Sequence, residues 1–303
     1  MRSVLASAPA KVNLALRVGP PRLDGYHPLD TVFEALDIFD DVEATSVSDS
    51  SVTLSISGLG EDLPVDSRNL AVSAALLLQE RFAVPTGVAL RITKRIPVAG
   101  GMAGGSADAA ATLVACNKLW NLDLSTDQLM ELGAELGSDV PFCILGSLAH
   151  GTGRGEVLRP LKVGVMHSWV ILTQRQGLST PEVFREFDSL MDYVRIPETL
   201  VPDTQDLQEA LEDSDLEAVG RLMVNDLEQP AFVVRPDIRE VLRAAQEYGI
   251  RAIMSGSGPT VAVLADDFST ADAIAGKLSR QFPELTVLRA NGPAAGAHVQ
   301  VVR

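Results

Sequence analysis

The passage that most constrains this chain is Pro97-Val98-Ala99-Gly100-Gly101-Met102-Ala103-Gly104-Gly105-Ser106-Ala107-Asp108, which empties into an alanine-rich stretch running through Leu113, Val114 and Trp120. Glycines placed just before a helix leave backbone N–H groups unobstructed by any Cβ, and the helix dipole adds partial positive charge at the same end. That geometry suits phosphate. Ser106 is expected to cap the helix. The spacing is not a Walker A loop, because Gly-Lys-Ser/Thr is missing, and it is not the Rossmann G-x-G-x-x-G. It indicates a nucleotide loop of a third kind, or else a run of small residues chosen for close helix packing.

On either side of this passage the hydrophobic period switches between strand and helix. Val12, Leu14, Leu16 and Val18 alternate with Lys11, Asn13, Ala15 and Arg17, which predicts a half-buried strand with Lys11 and Asn13 on its polar face. Strands are also expected over 31–39, 52–56 and 88–92, with a helix over 69–82. Beyond the glycines, Ser125-Thr126-Asp127-Gln128 fits a capping box and Gly137 stops the helix that follows it. Glycines 151, 153 and 155 predict a tight hairpin. The second half, from about Val163, reads as strand 169–173, a helix opening at Thr180-Pro181, helical stretches 206–227 and 236–248, strands 251–254 and 261–264 around a glycine turn, helix 270–281 and strand 285–288. The pattern is α+β, with helices covering an antiparallel sheet.

At 303 residues the chain has room for about two domains. A net charge of −15 repels nucleic acid and anionic membrane surfaces, so neither is expected as a partner. The two cysteines, Cys116 and Cys143, sit among apolar residues and read as small buried hydrophobes in a reducing compartment, without a disulfide framework. His27, His150, His167 and His298 lack zinc-ligand spacing. Pro9, Lys11 and Asn13 interrupt any apolar leader, and no run reaches the ~18 apolar residues of a membrane span, so a cytoplasmic protein is expected. Lys94 and Arg95 precede the loop and could meet a nucleotide's negative charge, but a solvated strand end is the better reading; the pairs Asp40-Asp41 and Asp266-Asp267 read as solvated strand ends without a role.

Three segments in order, Pro9-Ala10-Lys11-Val12-Asn13-Leu14, the loop from Pro97 to Ala107, and Ser255-Gly256-Ser257-Gly258-Pro259-Thr260, resemble the GHMP kinase superfamily of galacto-, homoserine, mevalonate and phosphomevalonate kinases. Asp24-Gly25-Tyr26-His27, Gly137-Ser138-Asp139-Val140-Pro141-Phe142 and Asn225-Asp226-Leu227-Glu228 are similar to the branch that phosphorylates cytidine-diphosphate-linked methylerythritol. The resemblance implies two domains, an N-terminal one over 1–162 like the ribosomal S5 second domain and a ferredoxin-like one over 163–303, with the site between them. It implies ATP and Mg²⁺ as cofactors, with no protein ligand to the metal named, and a monomer or homodimer. The reaction implied is phosphoryl transfer to a hydroxyl of that substrate, a step in non-mevalonate isoprenoid precursor synthesis.

Residue by residue, the resemblance makes Asp139 the acceptor of the hydroxyl's proton, with Lys11 steadying Asp139 and the γ-phosphate. The plainer readings are a solvated strand lysine and a helix cap before Pro141. Residues Pro97, Val98, Ala99, Gly100, Gly101, Met102, Ala103, Gly104, Gly105, Ser106 and Ala107 are implied to hold ATP. Asn13, Tyr26, His27, Thr180 and Phe184 are implied to hold the substrate, with Tyr26 and Phe184 stacking on cytosine and His27 selecting it. Phe184 fits equally well as a core residue of its helix. The family loop usually has glycine in place of Ala103 and a hydroxyl in place of Ala107, so altered ATP affinity is expected. A homoserine or mevalonate kinase, needing no base pocket, is the nearest alternative. A non-catalytic metabolite sensor on the same fold is the other.

Overall fold

A computed structural model describes residues 2–23, 25–98, 100–174, 176–191 and 203–302. The elements run β1 (Ser3–Val18), β2 (Leu29–Val47), β3 (Val52–Gly58), α1 (Leu70–Arg81), β4 (Gly87–Lys94), α2 (Gly104–Trp120), α3 (Thr126–Leu136), α4 (Val140–Leu145), β5 (Leu148–Thr152) and β6 (Val157–Pro160). The second half continues with β7 (His167–Thr173), α5 (Thr180–Met191), α6 (Gln205–Glu212), α7 (Leu216–Leu222), β8 (Val224–Asn225), α8 (Glu228–Val234), α9 (Pro236–Ala245), β9 (Arg251–Met254), β10 (Val261–Ala265), α10 (Phe268–Gln281), β11 (Thr286–Gly292) and β12 (His298–Val302). They form a large sheet with the path β12-β1-β2-β4-β3, to which β5, β6 and β8 attach, and a second sheet ordered β11-β7-β10-β9. The α+β expectation holds, although β3 with β4 and β1 with β8 pair in parallel.

β1 is expected to be half-buried, yet both its faces are covered. Val12, Leu14 and Ala15 enter the core beneath α2, whereas Leu16 and Val18 enter a second core under the other sheet. Consecutive residues 14 and 15 share a core because the register against β2 shifts between Asn13 and Ala15, and a bulge flips the faces beyond it. Lys11 and Asn13 lie just before this bulge.

The division at 162/163 remains our proposal. It falls in the exposed connection between β6 and β7. Two strands beyond it, β8 and β12, pair with β1, and Leu207, Leu211, Val219 and Met223 of the α6–α7 region complete the first core. The helical pattern expected over 206–227 breaks where Asp213 ends α6 and Asp215 caps α7, and it is followed by the two residues of β8. Cys116 and Cys143 are free and buried, and burial pushes both thiols well up. Among the described residues no helix is long and apolar enough to cross a membrane.

Candidate active site

α2 begins three residues earlier than Ser106 would place it. Its N-cap is Ala103, held in the left-handed region at φ 60°, and no side chain caps the helix. The first helical bond runs from Ala107 N to Ala103 O at 2.8 Å, so the N–H groups of Gly104, Gly105 and Ser106 have no acceptor within the helix. A Cβ at Gly105 would meet only Leu70, at 3.9 Å. The open amides of Gly104 and Gly105 and the helix dipole form one wall of a cavity of about 870 Å³.

The left-handed turn at Ala103 strains any residue with a Cβ by about 1–2 kcal/mol, which glycine avoids at some cost in chain entropy. Ala103→Gly is therefore expected to stabilise the fold by about 1 kcal/mol, read as a higher urea midpoint. An unchanged or lower midpoint would show that Ala103 carries no strain.

The second glycine turn buttresses the loop. Ser255 Oγ donates to Gly101 O at 3.0 Å, and a Cβ at Gly101 (φ +75°) would stand 2.2 Å from Ser255 O, so this contact needs glycine. The carboxamide of Asn225 donates to Met254 O and Gly256 O, both at 2.7 Å, and accepts from Leu227 N. Asp226 accepts from Arg17 and from Val18 N, and Glu228 accepts from Met254 N. The Asn225-to-Glu228 segment thus ties the end of β1 to this turn.

Lys11 is 4% exposed. Its own N–H donates to Met102 O, and its ammonium donates to Asn13 Oδ1 at 2.6 Å, lies 3.6 Å from Asp139 Oδ2 and sits 5.5 Å from the Phe33 ring centre. Asn13 passes the chain on to Thr31 Oγ1 at 2.9 Å. Asp139 occupies the N-cap position of α4, but its side chain makes no capping bond. The carboxylate is left to face Lys11 and the cavity.

Tyr26 lines the same cavity with its ring under the Arg154 guanidinium at 5.1 Å. His27 is nearly buried, and its Nδ1 donates to Gly19 O at 2.8 Å while Nε2 lies 3.3 Å from Asp188 Oδ1. The edge that His27 offers a base is therefore shared with Asp188. Phe184 lines the cavity and packs on the second core, its ring 5.2 Å from that of His27, so the two readings of Phe184 coexist. Thr180 Oγ1 is 2.7 Å from Ser257 Oγ.

Of the sequence candidates, Lys11, Asn13, Tyr26, His27, Gly100, Gly101, Ala103, Gly104, Gly105, Asp139, Thr180 and Phe184 line this cavity. Pro97, Val98 and Ser106 are not in its lining, and Met102 and Ala107 bury their side chains in the first core. Ser106 stands inside the first turn of α2, which excludes it as the cap. Ala99 lies outside the described residues, as does Asp24. Arg154, Asp188 and Ser257 also line the cavity and were missed. Asp188 sits one helical turn after Phe184, and Arg154 stands between two glycines at a hairpin tip, so both carried a signal in spacing.

The solvated-end readings of Lys94 and Asp40 are corrected: they are 2% and 0% exposed, and Lys94 pairs with both Asp40 and Asp108. Asp267 is exposed as expected, and it caps α10.

The family description "GHMP kinases N terminal domain" matches residues 69–147 and "GHMP kinases C terminal" matches residues 207–284. A 4-diphosphocytidyl-2-C-methyl-D-erythritol kinase of Paenarthrobacter aurescens (strain TC1) is 45% identical over 98% of this chain and 96% of its own. A crystal structure of a 4-(cytidine 5'-diphospho)-2C-methyl-D-erythritol kinase superposes with a TM-score of 0.74 at 33% identity, covering 96% of this chain and 99% of that one. The homoserine kinase from Cytophaga hutchinsonii reaches a TM-score of 0.76 at 19% identity over 98% of this chain and 97% of its own, a likeness of fold alone. The chain belongs to the GHMP kinases, and within them to the family of the 4-diphosphocytidyl-2-C-methyl-D-erythritol kinases.

Proposed function

We propose that this chain transfers the γ-phosphoryl group of ATP to a hydroxyl of 4-diphosphocytidyl-2-C-methyl-D-erythritol, in the non-mevalonate route to isoprenoid precursors. The observation that carries the reading is the meeting, in one cavity, of the uncapped amide end of α2 with the Lys11–Asp139 pair. Phosphoryl transfer asks a protein mainly to position the two reactants and to hold the charge on the transferred group. The amides of Gly104, Gly105 and Ser106 serve the phosphates. Lys11 faces the developing charge from the opposite strand, and Asp139 orients the hydroxyl and receives its proton at a carboxylate oxygen. A neighbouring ammonium makes a carboxylate a weaker base. In a loose transition state the proton leaves late, so aim matters more than basicity.

Mg²⁺ fits as an ion brought in with ATP. Among the described residues no group of three or more His, Cys, Asp or Glu side chains gathers to hold a metal. Its ligands would be phosphate oxygens and water, with the Ser106 hydroxyl available to a phosphate or a magnesium-bound water. When bound it would neutralise phosphate charge.

The cytidine end of the substrate is assigned to Tyr26, His27 and Phe184, with Asn13 and Thr180 on its polar groups. Stacking tolerates any base, whereas His27 and Asp188 set polar atoms along one edge of the pocket that can select among bases. Tyr26→Ala is expected to raise KM for the cytidine substrate about tenfold, equivalent to ~1–3 kcal/mol of stacking, with KM for ATP unchanged. A parallel rise in both constants would remove Tyr26 from the base pocket. The activity itself is tested by a phosphotransfer assay with Mg-ATP and a panel of the cytidine-diphosphate methylerythritol, homoserine and mevalonate. Turnover of the first alone is expected. Preference for either of the others selects a sister kinase, and no turnover of any selects a non-catalytic protein.

A further inference from the structure

The loop that carries Gly100 to Gly105 starts and finishes on one buried charge cluster. At its entrance, Asp40 Oδ1 accepts the backbone N–H of Arg95 at 2.6 Å and of Ile96 at 2.8 Å. Asp40 Oδ2 accepts from Lys94 Nζ at 2.5 Å. At its exit the same ammonium donates to Gly104 O at 3.1 Å and to Asp108 Oδ2 at 2.7 Å, one turn into α2. Three N–H bonds thus have three acceptors, drawn from β2, the first residue of α2 and its first turn. We propose that Lys94, held between Asp40 and Asp108, is a positioning residue for phosphoryl transfer: it staples the two arms of the phosphate loop together and so sets the direction of the α2 amides.

The fit is close. A Cβ at Gly104 would lie 3.2 Å from Lys94 Nζ and 3.2 Å from Ile96 Cγ2, so the staple leaves little room for a side chain at the helix start. Stability alone does not explain the cluster. Buried ion groups are often replaceable by apolar residues of similar volume without loss. Here two carboxyls share one ammonium, and Asp108 Oδ1 has no hydrogen-bond partner. Burial, offset in part by Lys94, pushes Asp108 up to about 8, and the attraction of Asp108 and Asp40 raises Lys94 despite its own burial. What an apolar cluster could not supply is a directed bond from the loop's entrance to the Gly104 carbonyl.

The proposal rests on reading the loop as the cradle for ATP phosphates, so its test has one arm that needs no ligand. In Lys94→Met, amide hydrogen exchange at Lys11 and Ala107, whose N–H groups bond to the loop carbonyls of Met102 and Ala103, is expected to rise at least tenfold, with the β7–β11 sheet unchanged. KM for ATP is expected to rise at least tenfold, with KM for the cytidine substrate within twofold. If the single variant fails to fold, the combined Asp40→Asn, Lys94→Met and Asp108→Asn replacement removes all the charges together and spares the core an unpaired ion. It is expected to melt close to the unaltered protein yet show the same rise in exchange and the same ATP defect. Unaltered exchange at Lys11 and Ala107 in a folded variant would overturn the proposal, as would an equal rise in both KM values. Faster exchange at these two amides in a protein that never uses ATP would leave the staple standing and overturn the nucleotide reading instead.

Discussion

Replacing Asp139 by Asn should lower kcat by about 10²-fold or more, with the affinity for ATP little changed, as expected for a positioned acid–base group. The substitution keeps the shape and one acceptor oxygen but removes the charge that faces Lys11 at 3.6 Å. The α2 amides are untouched, so nucleotide binding should persist. The capping alternative makes the opposite prediction, since a lost cap costs stability and leaves turnover intact. The geometry already weighs against a cap, because the Asp139 side chain makes no bond to the first turn of α4. Single-turnover kinetics with saturating ATP separate the two. Near-normal turnover in a destabilised protein would take Asp139 out of the chemistry.

Glu34→Ala should cost about 3–5 kcal/mol of folding stability, the usual result of leaving a buried partner uncompensated. Glu34 is fully buried where β2 meets the second sheet. It accepts from His167 at 2.7 Å and from the Trp169 indole N–H at 3.0 Å, and both of these partners are themselves buried. Glu34→Gln keeps an acceptor for the indole and should cost less. The pH dependence has a definite sign. Burial alone would lower the pKa of His167, but the attraction of the Glu34 carboxylate and their hydrogen bond outweigh it and raise it. A raised folded pKa gives stability that is complete below the unfolded value of about 6.5 and lost as pH climbs through the folded one. The gap between the parent protein and Glu34→Ala, measured by urea unfolding, should therefore be wider at pH 6 than at pH 9. A gap that widens with pH would mean that the pair is not charged as described.

Local features were legible because short-range chemistry fixes them. The Ser125 capping box closes in both directions, with Ser125 accepting from Gln128 N and Gln128 accepting from Ser125 N. Asn69 caps α1, and the glycines after residue 150 do turn the β5–β6 hairpin. Lys11 and Asn13 share a face and bond to each other, as strand alternation requires. What local pattern could not supply was anything decided by a distant partner. Glu34 looks like an ordinary outward residue of an alternating strand until β7, more than a hundred residues later, covers it. Lys94, Asp40 and Asp108 are each unremarkable alone, and only the packing of β2, β4 and α2 makes them one cluster. The start of α2 was misplaced because Ser106 is a good cap by type, while the chain turns at Ala103 through a conformation that residue type disfavours. β12 escaped notice because its partner is β1, at the opposite end of the chain.

The central claim is that one cavity aims the end of a triphosphate, held by the α2 amides, at a hydroxyl held by Asp139 beside Lys11. A crystal structure with a nonhydrolysable ATP analogue and the cytidine substrate tests it most directly. The account predicts phosphate oxygens on the N–H groups of Gly104 to Ser106, and the acceptor hydroxyl within ~3 Å of the Asp139 carboxylate. A triphosphate bound away from that helix end, or a hydroxyl out of reach of Asp139, would contradict it.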